Sequence, residues 1–381
     1  MVMKKYVFIS LFLMLLIFQE GYAQQMEDFK INGRIQYDFE FLKRQKMDKW
    51  QVGNEFRRVH FSMGGKFSKV FKFKVEINFA HAKIGFRDAY IEYVNKKIGN
   101  FAIGSKAEPT GLDIGTSSKY IPFMERAMLT ALQDFRWGTG LHYAHHHLLD
   151  NRMGFQMALT NKGVNGEGFV DKHVEKGMNF VTRIYGLPYF NKEKKHLVHL
   201  GINYATRPYK DLKFRPENHM GEKYHYVVPG GVRRLQTGME TALIVGPFSL
   251  QGEYKTSQIA ASLPGDFKVT GYYGLASFFL TGESRVYKHG GFGRVKPAKD
   301  ITHGGAGAWE ILVRYSVMDF SEDLVKLPDN AGLPKKVENT ALGINWYLTS
   351  HLRIMYNFIL TRDSHPQGNL TAHMIRFQMD F

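Results

Sequence analysis

The chain reads as an all-β protein: a transmembrane antiparallel β-barrel of about sixteen strands, with long loops folded into the lumen. Three observations predict this. Apolar and polar residues alternate with period two through many short segments. After the first 23 residues no stretch is long and apolar enough for a spanning helix. The last segment alternates and ends on Phe381.

The N-terminus sets the compartment. Lys4 and Lys5 precede an apolar region from Tyr6 to Phe18, and Gly21-Tyr22-Ala23 forms a small-x-small cleavage site, so residues 1–23 read as a secretory signal peptide. A spanning anchor needs about 20 apolar residues, more than this region supplies. Residues 24–381 then form a single outer-membrane barrel domain. With no cysteine in the chain, a disulfide framework, Cys-ligated zinc, thiol catalysis and a cysteine lipid anchor are all excluded. The formal charge of +16, only one unit of it in the signal, calls for an anionic partner. Export argues against nucleic acid and leaves anionic lipid or a small anion.

In the first segment Phe29, Ile31, Ile35, Tyr37, Phe39 and Phe41 alternate with Lys30, Asn32, Arg34, Gln36, Asp38 and Glu40. The pattern recurs across 29–42, 54–66, 70–80, 86–94, 98–106, 135–146, 152–160, 177–189, 196–207, 232–245, 248–258, 267–281, 306–319, 336–349, 351–362 and 370–381. A soluble sandwich also alternates. Here, however, the polar faces carry charges of both signs and the other faces are unbroken Phe, Tyr, Ile, Leu and Val, which fits a barrel with lipid outside and water inside. Lipid tolerates no open sheet edge, so the sheet must close. The alternating final strand ending in Phe381 is similar to the C-terminal signal read by the barrel assembly machinery.

Short connections at Phe67 to Lys69, Asn95 to Lys97, Gly246-Pro247 and Ser350 belong on the periplasmic side. Two stretches break the scheme. Residues 107–134 are long and lack alternation, as expected of a constriction loop folded into the lumen. Residues 282–305 are long and Gly-rich, yet fall on the side of the short turns.

At this point the chain resembles the phosphate- and pyrophosphate-selective porins, the porin O and P family. The resemblance rests on Phe56-Arg57-Arg58-Val59, Arg87-Asp88-Ala89-Tyr90, Thr116-Ser117-Ser118-Lys119-Tyr120-Ile121, Phe123-Met124-Glu125-Arg126, Gly282-Glu283-Ser284-Arg285, Phe292-Gly293-Arg294-Val295-Lys296-Pro297 and Gly307-Ala308-Trp309-Glu310. It implies a homotrimer of sixteen-stranded barrels in which the third extracellular loop, another extracellular loop and a long periplasmic turn enter the pore. It also implies an anion site at Arg57, Arg58, Asp88, Ser117, Ser118 and Arg126, with Lys119 from the same motif. Guanidinium pairs and hydroxyls suit phosphate oxygens. This chain departs from the family pattern in two ways. Leu112-Asp113-Ile114 stands where the family's best-studied type has a lysine a few residues before the serine pair, and Asp113 would repel an anion if it faced the pore. Strand parity points Arg57 at lipid unless the strand end bulges or lies above the membrane.

By parity the lumen also receives the cations Arg34, Lys72, Lys74, Arg234, Lys255, Arg314, Arg353 and Arg376, and the acids Asp38, Glu76, Glu92, Glu240, Glu253 and Glu310. Any one of these cations also reads as a solvated wall residue paired with a cross-strand acid. His142, His145, His146 and His147 have no carboxylate at ligand spacing, so they read as a turn and no metal is expected. Gly290-Gly291-Phe292-Gly293 lacks the strand and helix of a phosphate-cradling loop. No outward Ser, His and polar orienter suggest an enzyme, and no cofactor is implied. The expected function is passive, anion-selective diffusion of phosphate or related phosphorylated anions across the outer membrane. One alternative is a general or oligosaccharide channel with an aromatic track of Tyr90, Tyr120, Phe123 and Trp137. Another is a structural or adhesive barrel with a plugged pore.

Overall fold

The structure, a computed structural model, describes residues 27–80, 84–133, 137–162 and 177–381; the expected signal peptide lies outside them. Sixteen strands form one closed antiparallel barrel. They are β1 (Glu27–Arg44), β2 (Gln51–Lys66), β3 (Phe71–Asn78), β4 (Gly85–Tyr93), β5 (Asn100–Ala107), β6 (Trp137–Leu148), β7 (Met153–Lys162) and β8 (Asn179–Asn191). The second half holds β9 (His196–Pro208), β10 (Gly231–Val245), β11 (Phe248–Ala261), β12 (Phe267–Phe279), β13 (Ala308–Phe320), β14 (Lys336–Tyr347), β15 (Leu352–Arg362) and β16 (Leu370–Asp380). No boundary departs from the sequence expectation by more than three residues. Alternation is what makes them legible: each strand must present one face to hydrocarbon and the other to water.

Burial is inverted relative to a soluble protein. On β1 the polar Arg34, Gln36, Asp38 and Glu40 are at most 5% exposed, while Phe29 and Ile31 are 49% and 53% exposed. The exposed apolar band is the membrane face. β16 closes the cylinder on β1, pairing Arg34 with Asp380 through Arg44 with Leu370. Phe381 exchanges two backbone hydrogen bonds with Gly33 at 3.0 and 3.2 Å, and its ring covers the place a Gly33 side chain would occupy. The two-residue connection of β10 to β11 has Gly246 at φ +56, a conformation glycine adopts without strain.

Among the described residues, long connections between strands fold into the lumen. The loop after β5 carries a short α-helix, Leu112–Gly115, and a 3-10 turn, Met128–Leu132. The loop after β9 forms a small hairpin, Leu212–Phe214 with Tyr224–Tyr226. The long turn after β12 forms another, Tyr287–Lys288 with Gly291–Phe292. Met124, Met128, Leu129 and Leu132 pack with Phe214, Tyr226, Phe320 and Leu324 in an apolar core inside the barrel. Gly271 permits this contact, because a Cβ there would lie 2.7 Å from the Leu129 Cβ. The turn hairpin meets the first loop from the other end, where Phe292 N–H donates to the Thr116 hydroxyl at 3.1 Å.

Candidate functional site

Wall arginines hold the inserted loop by its backbone. Arg376 donates to the Met124 carbonyl, Arg314 to Glu125 at 3.0 Å, Arg353 to Ile121 at 3.0 Å and Arg234 to Leu132 at 3.2 Å. Each is almost fully buried. Parity places these four inside the barrel, but they line packed protein and not open pore, because inserted carbonyls need buried donors. Three of them also meet an acid or an amide: Arg376 bonds Asp38 at 2.6 and 2.7 Å, Arg314 bonds Glu217 at 2.6 Å, and Arg353 bonds Gln378 at 2.9 Å. Lys72 is a half-exposed wall residue paired across strands with Glu92 at 2.6 Å. Lys255 donates to the Thr110 carbonyl at 2.6 Å. Of the expected pore-lining cations, Arg34 and Lys74 do face open space.

That space consists of two chambers. The outer one, about 420 Å³, is bounded by Arg57, Arg58, Arg87, Arg126, Lys213, Arg215 and Lys223 against the carboxylates Glu125 and Glu217. The inner one, about 290 Å³, has Arg34, Lys74, Arg87, Lys106 and Arg183 against Glu76, Asp88 and Glu108, with Ser117 and Ser118 on its wall. Arg87, Ile114 and Trp137 border both chambers and so stand between them.

Both acids of the outer chamber are already engaged. Glu125 accepts from Arg57 at 2.7 and 2.9 Å and from Arg376 at 3.1 Å, and lies 3.5 Å from Arg58. Burial alone would raise the Glu125 carboxyl, but the guanidiniums of Arg57, Arg58 and Arg376 hold it well below the ordinary range. Glu217 is held by Arg314, the Ser316 hydroxyl and the Met128 N–H. Asp113 is turned away from the passage. Its carboxylate accepts from Arg126 at 3.0 Å and from the Ala127 N–H at 3.1 Å, so it aims Arg126 instead of repelling an anion.

The anion set expected from sequence does not form a single cluster. Arg57, Arg58 and Arg126 border the outer chamber, whereas Asp88, Ser117 and Ser118 border the inner one. Lys119 lies in neither; its ammonium is 3.9 Å from Asp380, near the periplasmic end of β16. Burial lowers the Lys119 pKa, and Asp380 only partly opposes the shift. The Ser118 hydroxyl is taken by Arg34. Asp88 accepts from Lys74 at 2.5 Å and from the Trp137 indole at 2.7 Å, a positioning role.

Bulges explain the orientations. The β1–β2 register slips between Gln36 and Tyr37, so Arg57 is the extra residue and turns inward to Glu125. The β3–β4 register slips between Val75 and Ile77, and there Arg87 faces the passage beside Asp88. Parity alone would aim Arg87 at lipid, which is how sequence reasoning missed it. The signal was present all the same. Two adjacent charged residues in a membrane strand cannot both face water without a bulge, and a charge in lipid costs about 2–4 kcal/mol. Arg87 stacks 4.5 Å above the Trp137 ring, and among the described residues no hydrogen bond or ion pair holds its guanidinium. Lys213 and Lys223, also missed, come from the loop after β9, which carries no strand pattern that would place it in the lumen.

The family model for Phosphate-selective porin O and P matches residues 29–381. Porin O of Pseudomonas aeruginosa is 28% identical, over 90% of this chain and 84% of its own length. Among solved structures, an anion-selective porin from Comamonas acidovorans superposes with a TM-score of 0.63 at 11% identity, over 93% of this chain and 99% of that one. The trimer form of OmpT, an outer membrane protein of Vibrio cholerae, superposes with a TM-score of 0.55 at 11% identity, over 93% and 99% of the two chains.

Proposed function

The chain belongs to the phosphate-selective porin O and P family and is an anion-selective porin of the bacterial outer membrane, and from that premise we propose that its preferred solute is phosphate or a small phosphorylated anion. The observation that carries this reading is the junction at Arg87. Its guanidinium borders both chambers with its donors uncommitted among the described residues, and Arg126 is aimed into the outer chamber by a buried carboxylate. An anion entering from outside is drawn by Lys213, Arg215 and Lys223, handed to Arg126 and Arg87, and released past Lys74 and Arg34. Graded cationic positions favour passage over trapping, and no energy source is needed.

The oligosaccharide reading needs open ring faces, and the four aromatic residues offer few. Arg314 lies over Phe123 at 4.3 Å, Lys106 over Tyr90 at 4.8 Å, Arg294 over Tyr120 at 5.4 Å and Arg87 over Trp137 at 4.5 Å. Such capped rings extend the cationic lining. We further propose removal of residues 1–23 on export, assembly as a homotrimer in outer-membrane lipid, and recognition of the last strand and Phe381 by the barrel assembly machinery. The trimer form of OmpT supports the trimer by likeness of fold.

The test is single-channel recording of refolded protein in a chloride gradient, followed by phosphate titration. An anionic reversal potential with block at low phosphate is expected. Anion preference without phosphate block leaves a general anion porin and overturns the phosphate reading.

A further inference from the structure

We propose that His146, His147 and His289 form a binding site for a divalent transition ion of the zinc class at the periplasmic mouth. Neighbouring residues in a strand normally face opposite sides. Here the β6–β7 register slips between His145 and Leu148, and the irregularity brings both His146 and His147 to the same partner. Their ring centroids lie 5.0 and 5.7 Å from that of His289, which sits at the tip of the inserted turn hairpin, more than 140 residues away in sequence. Imidazoles sharing one tetrahedral zinc, each bound at about 2.1 Å, have centroids roughly 5 Å apart. Rotation of the exposed His147 and His289 rings completes the triad, and the fourth position stays open to water.

Two further features fit a metal. His289 has φ +48 at a turn position where glycine or asparagine is the unstrained choice, so an imidazole is held there at some backbone cost. One ring is already held as a ligand requires. His146 Nδ1 is hydrogen-bonded to the Tyr185 hydroxyl at 2.7 Å, which leaves its Nε2 as the ligand atom, the outer-shell arrangement typical of metal-bound histidine. The exposed His147 gives up its Nδ1 bond to Asn151 on rotating. Among the described residues the Nε2 atoms of His146 and His147 and both His289 nitrogens have no hydrogen-bond partner. The surrounding cations do not forbid a dication: Lys72 and Lys106 are paired with Glu92, and Arg183 with Glu240. Lys288 remains exposed at the solvent side. A bound ion would tie the turn hairpin to β6.

The test is calorimetric titration of Zn2+ into refolded full-length protein in phosphate-free buffer, beside His289→Asn and His147→Gln. Asparagine tolerates φ > 0, so the first variant keeps the turn; circular dichroism and channel conductance check the barrel in both. One zinc per chain is expected in wild type, with at least tenfold weaker binding in each variant and a zinc-dependent rise in melting temperature confined to wild type. Absence of saturable binding in wild type, or undiminished binding in His289→Asn, overturns the proposal. Neither result bears on anion selectivity.

Discussion

Arg126 and Arg87 both face the outer chamber but differ in what they leave behind when removed. Arg87→Ala removes donors that no described residue uses, and the Trp137 ring it stacks on stays held by Asp88, so ligand binding should suffer most. A charge-assisted hydrogen bond is worth about 1.5–3 kcal/mol, which predicts a roughly tenfold or greater rise in the phosphate concentration that half-blocks the current. Arg126→Ala also exposes the charge of Asp113, so it should lose affinity and shift the reversal potential toward cations as well. Adding Asp113→Asn should restore the reversal potential while leaving phosphate block weak. If the double variant stays as cation-shifted as the single, the Asp113 argument fails. Glu125 supplies the pH prediction. Because its folded pKa is depressed, its contribution is present above the unfolded value of about 4.3 and is lost only as pH falls through the lower folded value. The clamp on Arg57, Arg58 and Arg376 should therefore survive acidification from pH 7 to pH 4, seen as unchanged proteolytic resistance of the inserted loop. Glu125→Gln should lose that resistance even at pH 7.

The inserted segments depend on buried charges from the wall. Arg314→Met would leave the buried Glu217 without its counter-charge, a cost of about 3–5 kcal/mol, and would free the Glu125 carbonyl as well. The cylinder itself is untouched by this change. The expected outcome is higher single-channel conductance, weaker phosphate block and faster protease cleavage in the loop, with the far-ultraviolet spectrum and heat resistance of the barrel retained. Unchanged conductance would mean that these segments do not set the constriction. This division also explains what sequence could reveal. The strands were legible because each satisfies a local rule, period two against lipid and water. The anchoring was not, because Arg376 meets Met124 across 252 residues and no spacing encodes that contact. The bulge at Arg57 was inferable from a charge on the lipid parity. The same logic held at Arg87, where Asp88 took the inward place and concealed it. Lys119 was misplaced because residues on a loop have no parity, and only the contact with Asp380 shows where its ammonium lies.

The inverted burial of the whole molecule makes a prediction that a soluble barrel of the same topology would fail. Ile202 lies at the middle of β9, 57% exposed, on the face opposite the lumen. On a soluble surface, replacing an exposed isoleucine with lysine is close to neutral, within about 0.5 kcal/mol. In a transmembrane strand the same change places an ammonium near the bilayer midplane and costs about 2–4 kcal/mol, falling toward 0–1 kcal/mol near the interfaces. Ile202→Lys should therefore destabilise the protein strongly in denaturant titrations in phospholipid bilayers. Val232→Lys, equally outward but at the extracellular end of β10, should cost far less. The depth dependence is the diagnostic, because cavity or packing effects at two exposed positions would not scale with distance from the midplane. Equal small costs at both positions would mean that the apolar band does not face lipid. Neither substitution touches the chambers, so anion selectivity should persist in any fraction that inserts. That outcome would separate the outer surface, which keeps the barrel in the membrane, from the inner surface, which chooses the solute.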